Sequence, residues 1–404
     1  MRQSPYPMIP VSEAIDIILR EVTPLPPQVR PFTEAANMVL AEDIFAAEPM
    51  PPFPASTVDG YAIIAADEGP RRIIGDQMAG YLAQIKVEPG FAARVTTGAP
   101  IPSGADAMVM IEDTEEEEGT LLMKTSVSPG NCIRQVGVDI EAGELVLPAG
   151  TQLKPAEIGL LAMIGRLEVR VYPAPRIGVM STGDELVEPG KATGPGQIRD
   201  ANRFALINAV FDAGGAPADL GIVRDQEATL ADTINLGLEM SDGLITSGGV
   251  SMGQLDLVKP YLAEHGELFF GRVNTKPGKP VTFAVLAGKP FFALPGNPVS
   301  ALVSFEVFVR PALLKMAGRT DIHRPRRQVV LAHDARHTAD RTEFQRVTIT
   351  YQEDGTMMAS TTGVQASSRL LSMRSANGLI VLPHGQGDFP AGAEVEALIL
   401  DEVW

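Results

Sequence analysis

Cysteine is almost absent from this chain of 404 residues, which carries Cys132 alone. A single thiol excludes a disulfide within the chain and argues against a zinc site built from thiolates. The five histidines are scattered, with no pair at metal-ligand spacing, so we assign none of them to a metal. The residue types that remain for a metal site are the carboxylates.

Basic residues are also scarce, since 33 lysines and arginines face 50 acidic residues and leave a net charge of −17. This balance argues against a general binder of nucleic acid or of anionic membranes, although it leaves room for a local basic pocket. No apolar run approaches the ~18 residues that span a bilayer, and the first ten residues lack the apolar core of a secretory signal. We therefore expect a cytoplasmic protein with neither nucleic-acid nor membrane partners.

The length exceeds one ordinary hydrophobic core, so several domains are expected. From Arg176 onward strand-like runs alternate with helical ones, which predicts a parallel-rich sheet with helices on both faces. Strand-like runs after Arg324 fit a small barrel or sandwich, of which we predict the barrel. The predicted domains are an elongated N-terminal α+β domain at 1–48 and 137–173, an inserted β-rich domain at 49–136, a three-layer α/β/α domain at 174–320, and a C-terminal β-barrel at 321–404.

Capping signals predict where some of the helices begin and end. Residues 11–20 form an amphipathic pattern with Ser12 as a plausible cap, and 33–40 suggest a second helix. A third helix is expected over NRFALINAVFD, with Asn202 as its N-cap and a Gly-Gly pair at its end.

The stretch from Leu244 to Asp256, LITSGGVSMGQLD, carries the strongest local signal. An apolar, β-branched run leads into Ser247-Gly248-Gly249, and a helical pattern follows. Strand, glycine-rich turn and helix together favour phosphate binding, because free amides at a helix start face the anion. Asp256 would repel a phosphate unless a divalent cation lay between them, so the loop predicts a phosphorylated ligand held with Mg²⁺. The alternative is a tight βα turn with structural glycines.

Two further loops also follow predicted strands, namely STGDEL at 181–186 and PGNP at 295–298. In open α/β sheets, ligands bind beyond the carboxyl ends of the strands. We therefore expect these two loops and the glycine-rich loop at 247–251 to meet at one site.

Seven motifs are spread along the whole chain. They are STVDGYA at 56–62, TGAP at 97–100, RQVGVD at 134–139, STGDEL at 181–186, SGGVSMGQLD at 247–256, KPGKP at 276–280 and PGNPVSA at 295–301. Together they resemble the MoeA-type molybdopterin molybdenumtransferases, a family that includes the E domain of gephyrin. One departure is Ser-Thr-Val before Asp59, where the family often has Ser-Ala-Met; we expect it to change packing and not chemistry.

The resemblance implies a molybdopterin-binding fold and a reaction in which adenylylated molybdopterin and molybdate give molybdenum cofactor and AMP, with Mg²⁺. It also implies a homodimer whose small-molecule partners are a pterin nucleotide and an oxyanion, and contact with molybdopterin-handling proteins. Two other readings stay open. Gephyrin relatives also act as scaffolds, and the related molybdopterin adenylyltransferases resemble the 174–320 domain alone.

The residues that the resemblance marks fall into three groups. The catalytic group is Asp59, Asp139, Glu185, Asp225, Asp256, Lys276, Lys279 and Arg346. The substrate-binding group is Thr97, Thr182, Gly183, Ser247, Gly248, Gly249, Ser251, Pro295, Asn297, Pro298 and Ser367. Asp256 and Glu185 are the metal candidates, because Mg²⁺ prefers hard oxygen ligands.

Residue chemistry suggests roles for some of them and simpler readings for others. Ser247 and Ser251 would hold phosphate oxygens. Lys276 and Lys279 would hold the oxyanion, unless they face solvent or grip the substrate phosphates instead. Asp59 before Gly60 could be only a turn residue, Asp225 could cap the following helix, and the two prolines of PGNP are expected to shape their loop.

Overall fold

The computed structural model describes residues 6–249 and 257–403. The chain divides into two compact units. The larger unit contains the residues up to Val29, the segment Asn37–Ala41 and the chain from Arg170 onward; the smaller unit contains Arg30–Ala36 and Glu42–Val169. The finer division into four domains stays a prediction.

The N-terminal third is built from short strands. In chain order its elements are α1 (Val11–Glu21), β1 (Gln28–Pro31), β2 (Val39–Leu40), β3 (Ile44–Phe45), β4 (Ala55–Ser56), β5 (Gly60–Ile63), β6 (Arg71–Gln77), β7 (Phe91–Val95), β8 (Ala107–Met110), β9 (Thr114–Glu117), β10 (Thr120–Met123) and β11 (Ile133–Arg134). A six-stranded sheet of order β8-β5-β7-β6-β10-β9 lies in the smaller unit, which confirms the β-rich character predicted for 49–136. The elements β12 (Leu145–Leu147), α2 (Pro155–Met163) and β13 (Glu168–Tyr172) follow.

Two of the local helix predictions need correction here. Helix α1 is present, but Pro10 precedes it and no side chain caps it, so Ser12 is not its cap. The helix predicted at 33–40 is wrong, since this segment forms a 3₁₀ turn at Phe32–Glu34 and then strand β2. Strand β2 pairs with β13, which lies far along the chain, and a local pattern cannot report such a pairing.

The α/β part of the larger unit holds β14 (Arg176–Thr182), β15 (Leu186–Val187), β16 (Ile198–Arg199), α3 (Asn202–Asp212), β17 (Ala216–Val223), α4 (Glu227–Met240), β18 (Gly243–Ser247), α5 (Val258–His265), β19 (Glu267–Phe270), β20 (Thr275–Lys276), β21 (Thr282–Leu286), β22 (Lys289–Leu294), α6 (Pro298–Ser304) and α7 (Arg310–Met316). Its sheet has the order β17-β14-β18-β22-β21-β19. The first four strands of this order are parallel, and β21 runs antiparallel to its neighbours. The parallel-rich sheet is therefore confirmed.

Both faces of this sheet are buried under helices. Leu244 and Phe291 pack with residues of α4 and α5 on one face. Their neighbours in sequence, Ile245 and Phe292, pack with residues of α3 and α6 on the other. Because successive strand side chains point to opposite faces, a strand covered on both sides reads as a continuous apolar run. The three-layer α/β/α architecture is thereby confirmed.

The C-terminal part is a closed five-stranded barrel. Its strands are β23 (Arg326–Leu331), β24 (Thr342–Tyr351), β25 (Met357–Thr361), β26 (Gly378–Leu382) and β27 (Glu394–Ile399). They follow the order β24-β25-β23-β27-β26, and the pairing of β26 with β24 closes the ring. The short strand β20 pairs in parallel with β24, and this pairing attaches the loop before β21 to the barrel. Among the described residues no helix is both long and apolar enough to cross a membrane.

Candidate functional site

Three loops meet where the parallel strands of the larger unit end. Strand β14 ends at Thr182, β18 ends at Ser247 and β22 ends at Leu294, immediately before Pro295. Together with the start of α3, their loops line a cleft of about 130 Å³. The structure therefore brings together the loops that the sequence placed at one edge of the sheet.

Asn202 joins two of these loops through its side chain. Its Nδ2 donates to the Ser247 hydroxyl at 2.7 Å and to the Gly296 carbonyl at 2.8 Å. The helix nevertheless begins at Asn202, with Ala201 as its N-cap and no capping side chain. The predicted capping role of Asn202 is therefore wrong, because the side chain is used to hold the site loops. The sequence marks Asn202 as a helix N-cap, whereas its amide bonds to two loops that are distant along the chain.

An ionic cluster around the buried pair Arg203 and Asp200 fixes the start of α3 behind the cleft. Arg203 donates to the Asp200 carboxylate at 2.9 Å and to Glu188 at 2.7 Å, and it also binds Asp219. The Asp200 carboxylate in turn accepts the Ser181 hydroxyl at 3.0 Å. These contacts set the position from which Asn202 reaches the loops.

The glycines after β18 allow a close backbone approach. Gly248 has φ 96°, and a Cβ placed there would lie 2.6 Å from the Thr182 carbonyl oxygen. Gly249 has φ 65°, and its Cβ would meet Val258 at 2.6 Å. The Thr182 hydroxyl beside them is buried and finds no hydrogen-bond partner among the described residues. A buried hydroxyl without a partner at the wall of a cleft is available to a ligand.

The carboxylates of the site come from the loops after β14 and β17. Glu185 is exposed at the cleft, where its carboxylate folds back over Gly183. The backbone N–H of Asp225 points to the neighbouring Asp184 carboxylate at 3.4 Å. Helix α4 has Gln226 at its N-cap position, one residue after Asp225. Ser251 and Asp256 lie outside the described residues.

The PGNP loop also contacts the barrel. The Asn297 Nδ2 donates to the Ser367 hydroxyl at 3.1 Å, and the Ser367 carbonyl accepts the backbone N–H of Val299 at 3.0 Å. Pro295 is buried, and Pro298 begins α6 at the cleft. Asn297 of the α/β part and Ser367 of the barrel part, both predicted to bind substrate, are thus in direct contact.

Arg346 stands behind this contact and is only 1% exposed. Its guanidinium donates to the Ser372 hydroxyl and to the Ala366 carbonyl, both at 3.2 Å. Burial lowers the pKa of Arg346 to about 10, and the nearby Glu343 charge partly offsets this effect. The side chain remains a cation at neutral pH, and its contacts hold the segment that presents Ser367.

The two lysines of KPGKP have different surroundings. The Lys276 ammonium donates to the buried Glu343 carboxylate at 3.1 Å. Lys279 is exposed, and no described residue forms an ion pair or a side-chain hydrogen bond with it. Gly278 between them has φ 107°, and a Cβ there would lie 2.6 Å from the Ser304 hydroxyl of α6. The loop is therefore held against α6 as well as against the barrel.

The predicted residues of the smaller unit form their own cluster. The Asp59 carboxylate accepts the backbone N–H of Thr97 at 2.7 Å, which joins the DGYA and TGAP motifs. Strand β4, just before Asp59, pairs with β11, which contains Arg134. Arg134 forms an ion pair with Asp139. All three motifs of this unit are thus linked, and Asp59 does more than turn the chain.

Another cleft, of about 560 Å³, lies in the smaller unit between residues 63–71 and 122–127. It contains none of the predicted site residues. Cavity volume alone would therefore point away from the predicted site residues.

Comparison with known proteins covers nearly the whole chain. Residues 9–165 match the MoeA N-terminal region (domains I and II), 178–315 a probable molybdopterin binding domain, and 328–400 the MoeA C-terminal region (domain IV). A molybdopterin molybdenumtransferase from Haemophilus influenzae is 36% identical over 96% of this chain and 98% of its own length. Gephyrin from Dictyostelium discoideum is 37% identical over all of this chain, which spans 64% of that relative.

A solved structure agrees with this match. The molybdopterin biosynthesis MoeA protein from Pyrococcus horikosii superposes with a TM-score of 0.84 at 31% identity, covering 98% of this chain and 100% of that one. The likeness extends over the described elements from α1 to the barrel.

Proposed function

This chain belongs to the MoeA family, and from that membership we propose that it inserts molybdenum from molybdate into adenylylated molybdopterin and releases AMP. The observation that carries the proposal is the meeting of Thr182, Ser247 and Gly248 at one cleft beyond the strand ends. A phosphate of the substrate would accept hydrogen bonds from the two hydroxyls and from the loop amides.

The size of the cleft agrees with a phosphate anchor. Sites that enclose a small ligand usually measure about 300–1,000 Å³, whereas this cleft measures about 130 Å³. It suits one phosphate-sized group, with the remainder of the nucleotide lying over the surface. The exposed Glu185 stands at its rim.

The residues present fit a magnesium ion. Mg²⁺ is bound through one or two carboxylates, substrate phosphates and water, and Glu185 offers an exposed carboxylate at the phosphate cleft. We propose Glu185 and Asp256 as its protein ligands. When bound, the ion would neutralise charge on the phosphates that face these carboxylates. Thr182 and Ser247 would orient the same phosphates through their hydroxyls.

Molybdate is proposed to bind near the KPGKP loop. Lys276, Lys279 and Arg346 supply cationic groups in a chain that is acidic as a whole. A tetrahedral oxyanion requires such local compensation, because a charge-assisted hydrogen bond contributes about 1.5–3 kcal/mol. Ser367 and Asn297 connect this region to the phosphate cleft through their mutual hydrogen bond.

We further propose a homodimer, as the family resemblance implies, and light scattering of the purified chain tests it. The catalytic proposal is tested by AMP release from adenylylated molybdopterin. Release that requires both molybdate and Mg²⁺ supports it, whereas ATP consumption with free molybdopterin would identify an adenylyltransferase. A folded protein that does neither would fit a scaffold role, as in the gephyrin relatives.

A further inference from the structure

Lys276 lies at the seam between the α/β sheet and the barrel. Strands β20 and β24 pair in parallel, and their register sets Lys276 beside Glu343. The Lys276 side chain is 35% exposed, whereas the Glu343 side chain is 3% exposed. The ammonium therefore reaches the surface of the proposed oxyanion region while its partner carboxylate stays buried.

His337 contacts the same carboxylate oxygen from the interior. Its Nδ1 lies 2.9 Å from Glu343 Oε2, its Nε2 lies 3.1 Å from the Pro383 carbonyl oxygen, and its side chain is fully buried. A carbonyl oxygen only accepts, so Nε2 must carry a hydrogen. A neutral imidazole has one N–H, which leaves Nδ1 without a hydrogen to offer to a carboxylate. The contact between Nδ1 and Oε2 therefore requires a second proton on one of these two atoms.

We infer that Glu343 and His337 share this extra proton, and that it leaves the positive charge of Lys276 uncancelled for an oxyanion. A carboxylate beside an imidazolium sums to zero, as does a carboxylic acid beside a neutral imidazole. In both arrangements the cluster with Lys276 carries one positive charge. Without the shared proton, the Glu343 carboxylate would cancel the Lys276 ammonium. Burial of the pair strengthens this effect, because solvent screens buried charges little.

Among the described residues, Arg346 on β24 interacts with Glu343 through space, and the Asp388 carboxylate accepts the His337 backbone N–H at 2.7 Å. Glu343 and His337 act through Lys276 and touch no substrate themselves, so they are positioning residues. Their role in oxyanion binding rests on the proposed function, whereas the shared proton does not.

The proton count can be measured on the full-length chain without substrate. Nitrogen-15 NMR of histidine-labelled protein at neutral pH reports whether each ring nitrogen carries hydrogen, and His337→Gln assigns the signal. Infrared difference spectra against Glu343→Gln report a carboxylic acid. We expect either two N–H groups on His337, or one N–H together with a protonated Glu343. One N–H with an ionised Glu343 would overturn the inference, whatever the catalytic activity.

Variants test the consequence for oxyanion binding. His337→Gln removes the extra proton and leaves Glu343 ionised against Lys276. We expect the half-saturating molybdate concentration for AMP release to rise about tenfold, with kcat and the dependence on pterin nucleotide changed much less. Glu343→Gln removes the opposing charge and should raise the molybdate requirement less than His337→Gln does. The double variant, His337→Gln with Glu343→Gln, has a neutral amide in place of the Glu343 carboxylate. It should therefore recover much of the molybdate affinity that His337→Gln alone loses.

A purely structural role predicts the opposite order, with the double variant worse than either single one, and that result would overturn the inference. Glu396→Gln is the matched control, because it breaks an exposed ion pair with Arg326 in the same barrel and should leave the molybdate dependence unaltered. Thermal unfolding identifies variants that do not fold. Where a variant does not fold, the spectra of the wild-type protein alone decide whether the proton is shared. If wild-type protein releases no AMP, the proposed function fails while the spectra still judge the shared proton.

Discussion

Asn202 occupies the first position of α3 and directs its side chain out of that helix. It satisfies the Gly296 carbonyl and orients the Ser247 hydroxyl, two groups that belong to different loops of the phosphate cleft. Single side chains of this kind hold the loops of the proposed phosphate site in place, and a loop that is already ordered loses less conformational entropy when a ligand binds.

Replacing Asn202 by alanine tests this role. We expect Asn202→Ala to raise the half-saturating concentration of adenylylated molybdopterin about thirtyfold, because two hydrogen bonds of about 1 kcal/mol each are lost. Steady-state AMP release measures the change. Asn208→Ala on the same helix is the control, because its amide only bonds to the exposed helix backbone at Phe204. Equal effects of the two substitutions would contradict the bridging role.

Lys279 offers a cation that no described residue neutralises, and the proposed oxyanion site depends on it. Lys279→Ala should raise the molybdate requirement by about tenfold or more, with the affinity for the pterin nucleotide changed much less. Titrating the two substrates independently separates these effects. Lys86→Ala, which removes an exposed lysine paired with Glu88, should change neither. Should nucleotide affinity collapse while the molybdate dependence holds, Lys279 is a phosphate ligand instead.

The loop that follows β18 requires glycine at two consecutive positions, Gly248 and Gly249. Strand β18 is buried over its full length, and the chain leaves it with two consecutive residues at positive φ. Residues other than glycine rarely adopt this conformation, and a Cβ at Gly248 would also clash with the backbone of β14. The close approach brings the Thr182 hydroxyl beside the glycine-rich turn.

Gly248→Ala should therefore lower the free energy of unfolding by about 1–3 kcal/mol and weaken binding of the pterin nucleotide. Chemical denaturation gives the first quantity, and substrate titration gives the second. Gly190→Ala is the matched control in the same domain, because its Cβ would meet open space and its backbone φ is not positive. A Gly248→Ala protein as stable and active as the control would show that the close contact with Thr182 is dispensable.

The molecule as a whole has functional candidates in both of its compact units, with Asp59 and Asp139 in the smaller one and the phosphate cleft in the larger one. Within each unit the candidates are linked by hydrogen bonds or ion pairs. In the proposed homodimer, a complete site would draw Asp59 from one subunit and the glycine-rich loop from the other.

Mixing inactive variants tests that proposal. After subunit exchange, Asp59→Ala with Asp256→Ala should regain part of the activity, because each hybrid dimer then contains one intact site. Asp59→Ala mixed with Asp139→Ala should regain none, since both changes fall on the same contributing segment. AMP release and mass measurements of the exchanged dimers give the readout. No recovery in the first mixture, despite verified exchange, would place each site within one subunit.

The sequence by itself determined the features that have a local pattern. Apolar strands between amphipathic helices predicted the three-layer domain, and the glycine-rich and proline-bearing turns predicted which loops gather beyond the strand ends. These signals are local because periodicity and turn chemistry act over a few residues. The sequence alone therefore places Thr182 and Ser247 at one site.

Tertiary structure alone decided the contacts between segments that are distant along the chain. The segment 33–40 reads as a helix, yet β2 pairs with β13. Asn202 reads as a cap, yet its amide bonds to Ser247 and Gly296. The contacts of Lys276 and of His337 with Glu343 have no counterpart in any motif, because they arise where β20 joins the barrel strand β24. Such contacts depend on strand register and burial, which are settled only when the distant segments pack together.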